Sequence, residues 1–191
     1  MAKSSDSKSK GYTNSDIAVM AVFRLGGSVR HIHLEDVAIK AAELSPKRFC
    51  WKKYPEQINL ESVRLALKDE LGASNNRVMG GIRDGWMLTP SGLTWCLETG
   101  VGGGDDTPIS QLRHEVDRAK ITQAFRKVTS HKPNVPIGEV EDLLRVDSYF
   151  TARNRRERIA ALANAAVLDR ELAGVLTTLR EMGLIELEVK R

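Results

Sequence analysis

The sequence predicts a mainly α-helical protein with one small β-hairpin, an α+β fold divided into two domains. Apolar residues recur at helical spacing in most of the chain, which favours helices over strands. Residues 77–89 differ, because two short apolar runs flank a glycine-rich turn at the spacing of an antiparallel hairpin. A glycine-rich stretch at residues 99–110 then separates two segments of comparable size.

The composition is that of a soluble globular protein of 191 residues, of which 41% are hydrophobic and 28% charged. A core of that content needs no disulfide, so Cys50 and Cys96 are expected to be ordinary intracellular thiols. The chain lacks a long apolar run, and its first ten residues lack the apolar centre of a signal peptide. We therefore expect a cytoplasmic protein that does not contact a membrane.

The net charge of +4 is a mild basic excess, which permits an anionic partner without requiring one. Residues 11–98 contain 11 basic and 10 acidic residues, and residues 111–191 contain 15 and 12. Neither segment is uniformly basic, so any surface that binds nucleic acid has to be local.

Composition divides the chain into four parts. Residues 1–13 contain few hydrophobic residues and several lysines, which predicts a disordered, weakly basic arm. Residues 14–98 form the first folded domain, residues 99–110 the flexible linker, and residues 111–191 a helical second domain.

The first domain opens with two predicted helices. Asn14 or Ser15 is expected to cap a helix over residues 16–25. A short strand is expected at residues 29–33, before a second helix at residues 34–44 whose acidic first turn suits the helix dipole.

Residues 45–58, here called the connector, are predicted to be irregular and are rich in bulky and basic side chains. Asn59 then caps a third helix that ends near Leu71. The helical spacing predicts a buried stripe of Leu60, Val63, Leu67 and Leu71, and an outward face of Glu61, Ser62, Leu65, Lys68 and Asp69.

A hairpin is predicted after the third helix, with strands at residues 77–79 and 86–89 and a tip at residues 80–85. Thr89-Pro90-Ser91-Gly92 then begins a short helix that reaches Trp95.

This order of elements, with Gly85-Trp86-Met87-Leu88-Thr89-Pro90-Ser91-Gly92 after a glycine-tipped hairpin, resembles the winged helix-turn-helix family of DNA-binding domains. The resemblance covers roughly residues 14–97. It implies that the third helix enters the major groove and that the hairpin, or wing, lies over the backbone or the minor groove.

The resemblance, together with the positions of basic residues, gives ten candidate DNA-binding residues. Basic connector residues would neutralise phosphates, polar third-helix residues would contact bases, and arginines beside the wing turn would contact phosphate or a narrow minor groove. The ten are Lys47, Arg48, Lys52 and Lys53 in the connector, Asn59, Ser62, Arg64 and Lys68 in the third helix, and Arg77 and Arg83 beside the turn. The connector's aromatic residues, Phe49, Trp51 and Tyr54, are expected in the core.

The second segment repeats the theme and suggests a second, degenerate copy, hence a tandem winged-helix architecture. It is predicted to contain helices from about Gln111 to Val128 and at residues 138–146, and a strand at residues 184–189. A further helix has the apolar stripe Leu168, Leu172, Val175, Leu176 and Leu179. The unpaired strand would be an exposed edge, which predicts a homodimer or a protein partner at this domain.

Four arginines form the densest basic cluster of the chain: Arg153, Arg155, Arg156 and Arg158. Arginine near the start of a helix opposes the helix dipole, which favours an anionic partner for this second basic patch. The alternative is a solvated helix start in which the arginines pair with Glu157.

No motif for catalysis, a metal or a cofactor is present in the sequence. His31-Ile32-His33 lacks the paired spacing of a zinc site, and residues 100–104 lack the Lys-Ser or Lys-Thr of a phosphate-binding loop. Neither cysteine lies in a nucleophile motif. We expect no enzyme, no metal and no cofactor.

The sequence therefore predicts a non-enzymatic protein that binds double-stranded DNA, as a transcriptional regulator or the DNA-recruiting subunit of a larger system, at the nucleoid within the cytoplasm. The alternative is a tandem winged-helix subunit that docks proteins, as in the accessory proteins bound by kleisin subunits of chromosome-organising complexes. The near-neutral charge of residues 11–98 and the outward Leu65 favour that alternative.

Overall fold

The computed structural model describes residues 11–73, 76–101, 107–130 and 134–185. It is mainly helical, with one small antiparallel hairpin, as the sequence predicts for the fold class. The chain divides into two compact units. Unit 1 comprises Met1–Gly27 and His31–Gly102, and unit 2 comprises Ser28–Arg30 and Gly103–Arg191.

Unit 1 contains five helices and two strands in its described residues. They are α1 (Asn14–Arg24), α2 (Leu34–Leu44), α3 (Pro46–Phe49), α4 (Leu60–Gly72), β1 (Val78–Gly81), β2 (Gly85–Leu88) and α5 (Pro90–Glu98). The core is built around α1, in which every residue from Ile17 to Phe23 is buried. Helices α2, α4 and α5 and strand β2 pack against it.

The strand predicted at residues 29–33 is reduced to one bridge. Ile32 pairs with Trp86 of β2, its N–H donating to Trp86 O at 2.8 Å and its carbonyl accepting from Trp86 N at 2.7 Å. Residues 25–29 form turns and helix α2 begins at Leu34, so little extended chain remains on either side of Ile32.

Helix α1 is capped one residue earlier than predicted, at Thr13 and not at Asn14 or Ser15. The Thr13 hydroxyl accepts from Asp16 N at 3.1 Å, and the Asp16 carboxylate accepts from Thr13 N at 2.7 Å. This reciprocal pair is a capping box, which satisfies two backbone donors at once.

Helix α4 begins at the predicted cap, where Asn59 Oδ1 accepts from Ser62 N at 3.2 Å. Its buried stripe differs from the prediction at both ends, because Leu60 and Leu71 are 40% and 38% exposed. The buried face is Val63, Ala66, Leu67 and Glu70. The buried side of α4 therefore ends in the carboxylate of Glu70, where the apolar pattern predicted Leu71.

The hairpin is confirmed, with Val78 opposite Leu88 and Gly81 opposite Gly85 around a turn at residues 82–84. Thr89 caps α5, which extends beyond the predicted end at Trp95 to Glu98. Gly92 is required in this motif, since a Cβ there would lie 2.0 Å from the carbonyl oxygen of Arg77. The first turn of α5 thus packs directly on the backbone that enters β1.

Unit 2 contains five α-helices in its described residues: α6 (Thr107–Lys120), α7 (Gln123–Thr129), α8 (Ile137–Leu144), α9 (Ala152–Ala165) and α10 (Arg170–Glu181). The single helix predicted from Gln111 to Val128 is two helices, because Thr122 interrupts it and caps α7. Most of the predicted apolar stripe of α10 is buried, while Leu168 lies in the preceding 3-10 turn.

The predicted strand at residues 184–189 is not formed by Leu184 and Ile185, and its other residues lie outside the described part of the chain. Residues 1–10 of the predicted arm and residues 102–106 of the predicted linker also lie outside it. Among the described residues, none of the helices is both long and apolar enough to cross a membrane.

One half-buried arginine, Arg77, joins three helices of unit 1. The Arg77 side chain is 13% exposed and donates to Glu70 of α4 through Nε at 2.7 Å and Nη2 at 2.5 Å. Its Nη1 donates to Asp16 of α1 at 2.8 Å. The guanidinium Cζ lies 4.3 Å from the ring centroid of Trp95 in α5, a cation–π contact.

These contacts shift the ionisation of both partners. The bonds to Glu70 raise the pKa of Arg77 above its ordinary value in spite of burial. Burial tends to raise the pKa of Asp16, but the hydrogen bonds from Thr13 N and from Arg77 outweigh it and leave this pKa below its ordinary value. Arg77 and Asp16 are therefore both charged near neutral pH.

We predict that Arg77→Met destabilises unit 1 by about 3–5 kcal/mol, because Glu70 and Asp16 lose their counter-charge inside the unit. Urea unfolding followed by tryptophan fluorescence measures this, since all three tryptophans of the sequence lie in unit 1. Arg83→Met, on the exposed turn, is the control and should change stability by less than about 0.5 kcal/mol. A loss below about 1 kcal/mol in Arg77→Met would contradict a stabilising network.

We also predict an acid-dependent loss of stability. Because the folded-state pKa of Asp16 is depressed, its stabilising contribution is present above the ordinary value of 3.8 and is lost as the pH falls through the folded-state value. The comparison is between the unaltered protein and Asp16→Asn, unfolded in urea across the acid range. The difference between them should shrink below pH 3.8, and a constant difference would refute the assignment.

Candidate nucleic-acid interface

The connector is an ordered, closed loop. Cys50 and Ile58 form an antiparallel bridge, Trp51 N donates to Gln57 O at 3.0 Å, and Asn59 N donates to Phe49 O at 2.7 Å. The Phe49 side chain is 0% exposed and anchors the loop in the core. Because these bonds fix both ends of the loop, the side chains between them project from a rigid base.

Three of the four basic connector residues lie at the surface. Lys47, Lys52 and Lys53 are exposed. Arg48 is half-buried, and its guanidinium donates to the carbonyl oxygen of Tyr12, ahead of α1. Lys52 and Lys53 are thus placed to meet an anion, whereas Arg48 ties the connector to the start of the unit.

The connector's aromatic residues do not all enter the core. Phe49 does, as predicted, but Trp51 is 52% exposed and Tyr54 is 48% exposed. The Lys53 ammonium lies 5.6 Å from the centre of the Tyr54 ring. A cavity of about 300 Å³ opens beside Trp51, lined by Pro46, Lys47, Cys50, Trp51, Lys52 and Pro55.

The outward face of α4 is electrically balanced. Arg64 pairs with Glu61 one turn earlier, and its hydrogen bond lowers the pKa of Glu61 and raises its own. Lys68 and Asp69 are both exposed on the next turn. The predicted base-contacting residues Asn59 and Ser62 are half-buried and bonded to each other through the helix cap.

Three leucines of α4 are also exposed. Leu65 is 45% exposed and faces outward as predicted, whereas the exposure of Leu60 and Leu71 is not predicted. At about 100° per residue, Leu60 and Leu71 share one side of the helix and Leu65 lies well around from them. They therefore do not form one apolar stripe.

The structure separates the two arginines assigned to the wing. Arg83 is exposed at the turn between β1 and β2, beside Ile82, which is 53% exposed. Arg77 precedes β1 and is held inside the unit by Glu70 and Asp16. We therefore leave Arg77 out of the proposed interface.

The predicted arginine patch of unit 2 is divided in the same way. Arg153 and Arg156 are exposed. Arg155 and Arg158 form ion pairs within unit 2. The Arg155 guanidinium lies 3.6 Å from the Glu141 carboxylate, and the Arg158 guanidinium lies 3.5 Å from the Glu115 carboxylate. Two of the four are thus engaged within unit 2 and are not arranged as one outward patch.

Glu115 is the centre of an ionic cluster that the sequence does not reveal. Guanidinium nitrogens of three arginines lie close to its carboxylate oxygens: Arg118 at 3.1 Å, Arg145 at 3.4 Å and Arg158 at 3.5 Å. Burial lowers the pKa of Arg158. The positive charges of Arg145 and Arg118 also lower this pKa, whereas the negative charge of Glu115 raises it. Glu115 lies in α6, Arg158 in α9 and Arg145 directly after α8, so no local spacing in the sequence predicts the cluster.

The described residues contain no group of three or more His, Cys, Asp or Glu side chains that could hold a metal ion. Burial raises the pKa of the Cys96 thiol to about 12, which keeps it protonated at neutral pH. Cys50 borders the cavity beside Trp51.

Comparison of the chain with models of protein families, with curated proteins and with solved structures finds no match.

Proposed function

We propose that unit 1 is a winged-helix domain that binds double-stranded DNA, in a protein that acts as a transcriptional regulator or recruits a larger system to DNA. The order of the elements supports this proposal: α1, the bridge at Ile32, α2, α4, β1 and β2. Ile32 pairs with β2 and so places a third extended segment beside the two strands of the hairpin. We confine the winged-helix proposal to unit 1, because the described residues of unit 2 include helices but no hairpin.

The observation that carries this proposal is the exposure of Lys52 and Lys53 on the closed loop that precedes α4. A loop whose backbone is already fixed loses little backbone freedom on binding, and each lysine–phosphate contact releases a condensed counterion. Arg83 on the turn adds a further exposed cation. Binding of this kind is strong at low salt and largely independent of sequence.

Helix α4 adds a smaller share of the binding. Lys68 is exposed, and Arg64 is held only by Glu61 in a pair on the helix surface. Exposed ion pairs of this kind add little to stability, so Arg64 can exchange Glu61 for a guanine edge at little cost. Because the charges of this face are balanced, it contributes more to discrimination between DNA sequences than to binding affinity.

We predict that removing two connector lysines, in Lys52→Ala with Lys53→Ala, weakens binding to every duplex and lowers the slope of log K against log salt by roughly two units. Fluorescence anisotropy of a labelled random duplex pool at several salt concentrations measures both quantities. The control is Arg170→Ala with Arg180→Ala, which removes the same charge from exposed positions of α10 in unit 2. An equal change in both variants would show that only net charge matters.

A protein-docking function is the second candidate, and the electrically balanced face of α4 with its exposed Leu65 favours it. The same titration decides between the two. Absence of duplex binding at low salt would overturn the DNA proposal, whereas steep salt dependence that the connector lysines control would reject docking as the main role.

A further inference from the structure

The connector presents two large aromatic side chains to solvent on an ordered loop. Trp51 is 52% exposed and Tyr54 is 48% exposed, although Phe49 in the same loop is fully buried. Gln57 N donates to Tyr54 O at 3.0 Å, and Trp51 N donates to Gln57 O at the same distance. The backbone that holds the two rings is therefore fixed from both sides.

Their surroundings specify the charge of a partner. The connector contains four basic residues and one acidic residue, Glu56. Lys52 and Lys53 stand between the two aromatic residues, and the Lys53 ammonium lies beside the Tyr54 ring. A partner that fits this surface offers flat apolar faces at intervals along a negatively charged chain.

Nucleic acid has that chemistry, since bases alternate with phosphates along one strand. An acidic peptide would satisfy the lysines but would offer few flat faces to Trp51 and Tyr54. Aromatic side chains stack on any base, because every base has a π-face, while lysines follow the backbone. Trp51 and Tyr54 have only two side-chain torsions each, so holding them against a base costs little freedom.

In an intact duplex the base faces are covered by their neighbours, so these rings could reach bases only where a strand is unpaired. We propose that Trp51 and Tyr54 of the connector stack on unpaired bases, so that unit 1 prefers DNA with a single-stranded segment beside the duplex over a blunt duplex. This inference rests on the proposed DNA-binding function and specifies which form of DNA that surface takes.

The test compares three labelled DNAs at one low salt concentration by fluorescence anisotropy, using the full chain. They are a blunt duplex, the same duplex with an oligo-dT overhang of about ten nucleotides, and the overhang strand alone. The unaltered protein should bind the overhang duplex about tenfold more tightly than the blunt duplex, which is the gain in affinity expected when an aromatic side chain stacks on one base. Its tryptophan fluorescence should also be quenched more by the overhang duplex.

Trp51→Ala and Tyr54→Ala should each remove most of the preference for the overhang and leave binding to the blunt duplex within about twofold. Trp51→Phe keeps a ring at this position and should retain part of the preference, which separates stacking from a misfolded loop. Tyr149→Ala is the matched control, because Tyr149 is an aromatic residue of unit 2 that is 91% exposed.

Each failure has a distinct signature. Equal binding of blunt and overhang duplexes, with lysine variants that still weaken both, overturns the stacking proposal and leaves DNA binding in place. Loss of preference in Tyr149→Ala to the same degree as in Trp51→Ala also overturns it. No binding of any of the three DNAs overturns the proposed function together with this inference.

Discussion

The pairing of one half-buried arginine with two carboxylates organises unit 1. Arg77 bonds Glu70 of α4 and Asp16 of α1 and stacks on Trp95 of α5, and its own carbonyl lies against Gly92. A charge taken from water is costly unless it is paired and hydrogen-bonded, so these elements have only a narrow range of relative positions. The hairpin starts at the residue after Arg77, and its position is fixed by the same contacts.

The proposed interface depends on a second constraint, the closure of the connector. Backbone bonds at its base and the buried Phe49 let an irregular segment carry lysines and aromatic rings outward without becoming mobile. Rigidity of this kind reduces the backbone entropy that the loop loses on binding. In the proposed function, the connector provides affinity and α4 reads sequence, and these two neighbouring segments differ in charge.

Two predictions about charged and buried residues of unit 1 failed because of ion pairs made by Arg77. Spacing placed Leu71 in the buried stripe of α4, but Glu70 is buried there because Arg77 neutralises it. Proximity to the turn made Arg77 a candidate for phosphate contact, yet its carboxylate partners hold it inside. Trp51 and Tyr54 were expected in the core by residue type, and only the closed loop directs them outward.

The sequence by itself determined most of the helices and the hairpin, since caps such as Asn59 and Thr89, apolar spacing and glycine turns act within a few residues. It did not predict α3 or the break between α6 and α7. It also located the basic connector, because charge density is a property of composition. Tertiary structure alone decided which charged and aromatic side chains remain exposed and able to contact a partner. Burial, ion pairing and exposure depend on partners such as Asp16 and Arg77, 61 positions apart, which no local pattern specifies.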